Sequence, residues 1–556
     1  MDTQYTVLNP WAEKAENRAY ALCPRPETLE GKTIGLYAHF KQSAPDILKE
    51  FEIQLAERYP TAKFKHIQYK RDTTEITNDP DFQAELQKWL EDVDVVICGY
   101  GDAGSCAMFL GYNAAHIERM GKPVLLFLHS NYYNVARSSC SARFVPNLRI
   151  IPLDFNLTLI GGPGKENLVK VLTPKLDEVI GMLTDPLTPE EASAPPVQQY
   201  HTEKTFTGTL TELNKLFYQN GFTHGEPIVP PTREAVDEML KGTNLPPDYV
   251  VATMPPMLGK ATVEKIAINA VMAGCLPTYM PVMIAVVRAM TAKNISLEGW
   301  SCSHGSWFPT IILSGKITKE LDMCGGANIL TPFKKAEQTI AKAYSYILLN
   351  ICGIRSNIED SCGRGHPTRH SVCFGEDYEH SPWEPAHTRF GIPAEDSAVI
   401  MFWPENWEFA SKTDGKSAAH KLNIICSWES GTFDPGLCLI LSPKLAAEFT
   451  KDGYDRDKII DYIWEYSRRP YEKANVEWCI ANNHLPKAML PEKGDYSVRR
   501  FWTEDHLFAV VGSDGMLALN GGGDHGGPGV AKIDLPDNWD ELLEKYSDYK
   551  AENVRY

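Results

Sequence analysis

The sequence predicts an α/β protein: a doubly wound parallel sheet in the N-terminal part, followed by a larger α+β or α/β unit. Strand and helix patterns alternate over the first 180 or so residues, and repeated strand–helix–strand units form parallel sheets. The stretch 183–205 is rich in Pro, Ser, Thr and Glu, which is typical of a linker. We therefore predict domains at 1–182 and 206–556, with a sub-boundary near 400 where loop-rich composition gives way to apolar strands.

The predicted elements of the first domain follow in order. Residues 32–40 form a short apolar run, 43–59 have helical spacing behind a serine, and 64–70 alternate with period two. DFQAELQKWLEDV then predicts a helix, VDVVICG a buried strand, SCAMFLGYNAAHIERMG a helix, and PVLLFLH the next strand. In the second domain, IAINAVMAGCLPTYMPVMIAVVRAM predicts two buried helices joined by a proline-containing turn.

The composition excludes several classes of protein. A formal net charge of −17 argues against sequence-independent nucleic-acid binding, which needs clustered basic side chains. We find no membrane-spanning run and no secretory signal, so we expect a cytoplasmic protein. The 13 cysteines include no C-x-x-C pair, which is unlike a disulfide framework. They are either buried apolar residues or reactive thiols.

The stretch GYGDAG, residues 99–104, is a G-x-G-x-x-G pattern followed by Cys106. A dinucleotide site would also need an acidic residue after the next strand, and that strand ends in His129. A second interpretation places Asp102 at or near a helix N-cap and Cys106 in the first helical turn, where backbone N–H groups and the helix dipole favour a thiolate. A third is that the glycines only permit a tight turn around a small buried cysteine.

The segment 25–138, especially RPETLEGKTIGLY and VDVVICGYGDAGSCAMFLGYNAAHIERMGKPVLL, resembles the UGSC family of selenoproteins and their cysteine homologues. The resemblance implies that Ala103 stands at the selenocysteine position, that Gly104 and Ser105 match, and that Cys106 is the retained cysteine. With Ala103 no thiol pair can form within the loop. Three alternatives remain. Cys106 reacts without a second thiol, a distant cysteine such as Cys98 or Cys140 acts as its resolving thiol, or the loop binds a ligand without thiol chemistry.

The second domain contains a dense group of candidate site residues. Segments 224–240 and 261–290 resemble the larger proteins that accompany UGSC proteins, which would make this chain a fusion. Residues 359–387 bring together side chains suited to proton transfer or to binding Zn or Fe. For acid–base catalysis we favour His366 and His387, with Glu384 as an orienting carboxylate. For a metal the candidates are Cys362, His366, His370 and His387.

Two further segments are weaker candidates. Cys302 and His304 would point to the same face if residues 301–309 formed a strand. His525 lies in the glycine-rich stretch 519–529, which could close over a ligand. Together with Gly101, Asp102, Gly104 and Ser105, these residues complete our predicted substrate-binding set. Each has an ordinary structural explanation as a buried side chain or a plain connection.

Our leading hypothesis is a thiol-dependent enzyme acting on a small organic molecule, by reduction or by making or breaking a C–S bond. Cys106 would be the nucleophile, and a His/Glu loop from the second domain would supply the acid–base group. The alternatives are a metal-assisted lyase or hydratase at 359–387, and a non-enzymatic binding or scaffold protein with a degenerate loop. The leading hypothesis requires no cofactor. A thiol-reductant protein as partner and a homodimer are both compatible with the sequence.

Overall fold

The structure is a computed structural model of the 556-residue chain. It describes all residues except 1–2, 16–17, 41–42, 71–74, 155–164, 196–200, 332, 364, 368, 370–371, 411–414, 428–435, 471–475, 478–488, 490–496, 502, 522–524 and 551–556.

A parallel sheet flanked by helices forms the first unit. Strand β1 (Gln4–Leu8) comes first in the chain but joins the second unit. The elements of the first unit are β2 (Thr33–Ala38), α1 (Ser43–Arg58), β3 (Lys63–Gln68), α2 (Pro80–Leu90), β4 (Val95–Gly101), α3 (Gly104–Arg119), β5 (Val124–His129), α4 (Tyr133–Ala142), β6 (Arg149–Leu153), α5 (Lys165–Leu172) and α6 (Leu176–Thr184). The strand order is β3-β2-β4-β5-β6, and every neighbouring pair is parallel. The predicted doubly wound fold is confirmed.

Helices cover both faces of this sheet, which explains why its strands read as apolar runs. Along β4, Val96 and Cys98 belong to an apolar cluster shared with α2, α3 and α4. The alternate residues Val95 and Ile97 belong to a cluster shared with α1, α5 and α6. The helix α3 thus lies on one face of the sheet, and its N-terminus lies at the edge where the strands end.

The second unit is a mixture of helices and short strands. Its elements are β1, β7 (Thr205–Thr209), α7 (Leu210–Gln219), α8 (Arg233–Leu240), β8 (Val250–Met254), β9 (Gly259–Thr262), α9 (Val263–Ala273), α10 (Met280–Met290), α11 (Leu297–Cys302), β10 (Thr310–Ser314), α12 (Ile317–Glu320), α13 (Lys335–Ile347), β11 (Val372–Gly375), β12 (Ala398–Phe402), β13 (Pro404–Ala410), α14 (Ala418–Ser427), β14 (Gly436–Leu441), α15 (Pro443–Lys451), α16 (Arg456–Tyr466), β15 (Arg468–Pro470), β16 (Ser497–Arg499), β17 (Leu507–Val511), β18 (Met516–Gly521), β19 (Gly529–Lys532) and α17 (Trp539–Lys545). The two predicted buried helices are α9 and α10.

Two four-stranded sheets, β11-β10-β12-β19 and β13-β18-β14-β17, form the centre of this unit. Side-chain alternation shows how the layers stack. In β12, Ile400 faces an apolar cluster shared with the other sheet, whereas Val399 faces a cluster shared with α9, α10 and α13. In β14, Ile440 faces the shared cluster, and Leu439 faces one shared with α14, α15 and α16. The layers therefore run helix, sheet, sheet, helix.

The domain boundaries predicted from the sequence differ from the units seen in the structure. Strand β1 pairs with β7, so a segment inside the predicted domain 1–182 lies on the second unit. Strand β12, at residue 400, pairs with β10 before it and with β19 far after it, so the sheets do not divide there. Across the described parts of the chain, we find no helix with the length and apolar character needed to cross a membrane.

Candidate active site

The turn between β4 and α3 is shaped by close backbone packing. A Cβ added to Gly101 would lie 2.9 Å from the backbone Cα of Ala107, so this position accepts only glycine without displacement. The helix N-cap is Ala103, which provides no side-chain acceptor. Asp102, which we expected at or near the cap, directly precedes it and is buried. No side-chain cap at Ala103 therefore competes for the first backbone N–H groups of α3.

This turn lies at the point where the sheet's strand order reverses. From β2 the chain continues to β3 on one side of the sheet, and from β4 it continues to β5 on the other. In open α/β sheets the crevice beyond such neighbouring strands is where ligands bind. His39 follows β2 directly, and its backbone N–H donates to the Gly99 carbonyl at 2.9 Å. Its side chain is 1% exposed, so a buried imidazole lies at the edge of the crevice.

Cys106 is the third residue of α3 and is 3% exposed. Asn113, two helical turns later, lies on the same side of the helix. The Asn113 side chain donates to the Tyr37 hydroxyl in β2 at 3.0 Å. The Cys106 side of α3 therefore faces β2. His39 lies two residues after Tyr37, so in extended chain it points to the same face of the sheet. The thiol and the imidazole thus share one side of the crevice.

The second unit packs against the same turn. A Cβ on Gly104 would lie 2.0 Å from the Cys302 carbonyl oxygen and 2.6 Å from the Ser361 Cβ. The next residue, Ser105, has its hydroxyl 3.4 Å from that of Ser303. Both units therefore hold the turn in place. Gly104 is required there because two segments of the second unit come within contact distance of its Cα.

His304 is the histidine that the second unit brings to this junction. Its Nδ1 is hydrogen-bonded to the Tyr132 hydroxyl of the first unit at 3.3 Å, and the two rings meet edge to face. Gly363 packs directly on its imidazole, since a Cβ there would lie 2.1 Å from the His304 ring. The side chain is exposed. His304 is thus available for proton transfer at the mouth of the junction.

Two buried charges fix the units to each other. Glu359 is 1% exposed and accepts a hydrogen bond from Ser138 of α4 at 2.5 Å. Arg355 binds both oxygens of the same carboxylate. Elsewhere in the interface, Arg143 binds Glu75 and also donates to the carbonyl of Pro256 at 3.2 Å. These paired charges give the interface a defined geometry.

Cys302 does not share a face with His304, because residues 297–302 form helix α11 and not a strand. Its thiol is fully buried in the apolar cluster of the first unit. Burial, and then the nearby Glu359 and Asp360 carboxylates, hold the pKa of Cys302 well above its usual range. Its position is that of a packing residue, while its carbonyl oxygen contacts the turn.

Residues 359–387 do not form one cluster. Their first part lies at the unit interface, where Asp360 binds Arg369 through both oxygens. Cys362 is half-buried beside Asp360, whose carboxylate accepts from its backbone N–H at 3.0 Å. His366 stacks on Phe308 with ring centroids 4.2 Å apart. Burial and then Arg369 lower the pKa of His366.

The predicted pair His387 and Glu384 does not exist as an acid–base unit. His387 is fully buried, its Nδ1 is hydrogen-bonded to the Ser314 hydroxyl at 2.9 Å, and its Nε2 donates to the Pro393 carbonyl at 3.0 Å. Both ring nitrogens are therefore used within the fold. The carboxylate that approaches this network is Glu376, bound by Ser314 at 2.5 Å. Glu384 is exposed.

His370, a proposed metal ligand, lies outside the described residues. Among the residues that are described, no three His, Cys, Asp or Glu side chains come together as a metal site. His525 is 4% exposed and lies edge-on between Trp300 and Trp307. Burial lowers the pKa of His525 to about 3, so it stays neutral and belongs to the core. The neighbouring residues 522–524 are not described.

Sequence reasoning missed four residues of the junction: His39, Tyr132, Ser303 and Ser361. One signal was present, because His39 lies near the end of the predicted strand 32–40, as His129 lies at the end of the predicted strand PVLLFLH. The strand order was needed to know that β2 and β4 are neighbours. Nothing in the sequence indicated that the segments around Ser303 and Ser361 would meet one loop.

The N-terminal unit is therefore a doubly wound α/β domain with a cysteine-bearing turn at its switch point. Residues 6–182, about a third of the chain, match the family model of the UGSC family. This agrees with the resemblance of the loop motif and places a UGSC module at the N-terminus. Searches of curated proteins and of solved structures find no match.

Proposed function

We propose that this protein is a thiol-dependent enzyme acting on a small organic substrate, with Cys106 as the nucleophile. The observation that carries the proposal is the position of Cys106, in the first turn of a 16-residue helix at the switch point of the sheet. Helix N-termini stabilise thiolates through their free N–H groups and dipole. The chemistry is reduction, or formation or cleavage of a bond between carbon and sulfur.

A contrast with the other cysteines supports this choice. The neighbouring thiols of Cys98, Cys140 and Cys302 belong to the apolar cluster around α3, and burial raises the pKa of each. Within the described residues Cys106 belongs to none of the apolar clusters. Cys98 and Cys140 are therefore poor resolving thiols, because a protonated, buried sulfur attacks slowly.

His39 and His304 take the acid–base role that the sequence gave to His366 and His387. His39 shares the crevice side of the turn with Cys106, and His304 stands at the mouth of the junction beside Tyr132. With a disulfide substrate, the Cys106 sulfur bonds to one sulfur and the S–S bond breaks. The departing thiolate takes up the proton that the imidazole removed from Cys106. A thiol reductant then regenerates Cys106. We place this activity in the cytoplasm, where such thiols stay reduced.

The test is the alkylation rate of each cysteine by iodoacetamide in the native protein, followed by peptide mass spectrometry. Cys106 should react at least tenfold faster than Cys98, Cys140 and Cys302, and the Cys106→Ser variant should lose that labelled peptide without other change. If Cys106 stays inert while the half-buried Cys362 reacts, the proposal is wrong and the chemistry belongs to the second unit.

A further inference from the structure

A cavity of about 600 Å³ lies on the second unit. None of the residues that line it belongs to the β4–α3 turn. Three separate segments line it: residues 8–14, residues 201–204 and the start of α9 at 264–268. Sites for small molecules occupy about 300 to 1,000 Å³. The cavity is therefore large enough for a complete metabolite.

Its inner wall carries two part-buried ammonium groups. The Lys265 Nζ donates to the Asn9 carbonyl at 2.7 Å. Among the described residues, the Lys14 Nζ has neither a hydrogen bond nor an ion pair; the charges of Arg355 and Glu359 act on it. Burial lowers the pKa of both lysines, and the nearby carboxylates do not offset it.

The cavity lining also includes Glu13, Glu203 and Glu264; the charges of Glu13 and Glu264 act on Lys265 without outweighing the effect of its burial on its pKa. Glu264 forms an ion pair with Arg233 at 2.5 Å. Glu13 and Glu203 are exposed. Two lysines thus line one cavity, and among the described residues no carboxylate of the cavity is bound to either of them. A bound anion would offset the desolvation of both ammonium groups and, at Lys14, the repulsion from Arg355.

An aromatic surface stands beside these charges and is held in place by hydrogen bonds. Trp11 and His201 meet at ring centroids 5.1 Å apart. The buried Asn9 side chain donates to the carbonyls of His201 and Glu203 at 2.8 and 2.7 Å, which ties segment 201–204 to segment 8–14. The ring surface is therefore formed before any ligand arrives.

We propose that this cavity binds a small aromatic anion, a carboxylate or a phosphate ester, with its charge between Lys14 and Lys265 and its ring against Trp11 and His201. This inference is independent of the chemistry at Cys106. The two anionic groups share the same recognition chemistry, since each presents oxygen acceptors to a pair of ammonium donors.

Isothermal titration of the full chain with benzoate and with phenyl phosphate tests the proposal and distinguishes the two groups. At least one probe should bind, and benzyl alcohol should bind at least tenfold more weakly than that probe. In an alkaline buffer, binding should take up protons, because an anion favours the charged form of the two lysines. Equal binding of benzyl alcohol, or no binding of either anion, would overturn the proposal.

Variants locate the site. Lys14→Gln removes a side chain that forms no hydrogen bond among the described residues, so the variant should have the melting temperature of the wild type. Its affinity for the probe should fall at least tenfold. Lys215→Gln, an exposed position on α7 outside the cavity lining, is the matched control and should change affinity less than twofold. Equal losses in both variants would mean general charge attraction and would overturn the assignment.

Discussion

The turn at 101–106 and the segment 359–387 were both predicted as catalytic, and the fold treats them differently. The turn stays together at one sheet edge, because a strand ends at Gly101 and a helix begins at Gly104. The segment disperses: Glu359 lies at the unit interface, His366 stacks on Phe308, and His387 lies inside the second unit. Density of reactive residues along a loop therefore says little about their density in space.

The largest effect should come from replacing His387 in the dispersed segment. His387→Ala leaves the buried Ser314 hydroxyl and Pro393 carbonyl without this partner and opens a cavity, at a cost of about 3 kcal/mol. Urea unfolding measures it, and the exposed His380→Ala in the same segment should leave the midpoint unchanged. If His387→Ala instead slowed the alkylation of Cys106 and left stability unchanged, His387 would be part of the catalytic site.

The turn should respond strongly to added volume. Gly104→Ala places a methyl group against the Cys302 carbonyl and Ser361, which should cost about 2 kcal/mol through overpacking. Gly326→Ala is the control, because a Cβ there meets nothing within 4 Å. Thermal melting compares the two variants. Equal melting temperatures would show that the units are not in close contact at Gly104.

A third predicted segment contains His525, which should make the stability of the fold depend on pH. Its folded pKa of about 3 lies below the unfolded value of about 6.5, so the unfolded state binds the proton first as pH falls. Stability from this group is complete above pH 6.5, and about 2 kcal/mol of it should be lost between pH 7 and pH 5. Unfolding midpoints at both pH values measure this. His525→Leu should remove that loss; an unchanged slope would contradict the burial.

The smallest expected effect is on the alkylation rate of Cys106, which should depend on a histidine near the turn and not on one in segment 359–387. His39→Gln should slow alkylation of Cys106 roughly tenfold at neutral pH, because an imidazole on the same side of the crevice can assist ionisation of the thiol. His366→Gln, in the dispersed segment, should leave that rate unchanged. Peptide mass spectrometry on the native variants gives both rates. The reverse result would place the acid–base group in the second unit.

The parts predicted well were those fixed by near neighbours in sequence. The elements from β2 to β5 and the two helices α9 and α10 match their predicted positions, because periodicity and turn residues act over a few positions. The layers of the second unit were not predicted, since β12 pairs with β19 about 130 residues later. His39 was missed for the same reason: its role depends on β2 lying beside β4.

The sequence by itself determined the doubly wound first unit and the place of Cys106 in the first turn of α3, because alternation, helical spacing and glycine punctuation are local. Only the tertiary structure decided which groups meet that turn. It brought His39, His304 and Ser361 to the junction and took His387 into the interior. Contacts between residues far apart in sequence follow from how layers bury their apolar faces, and many sequence positions could satisfy that requirement.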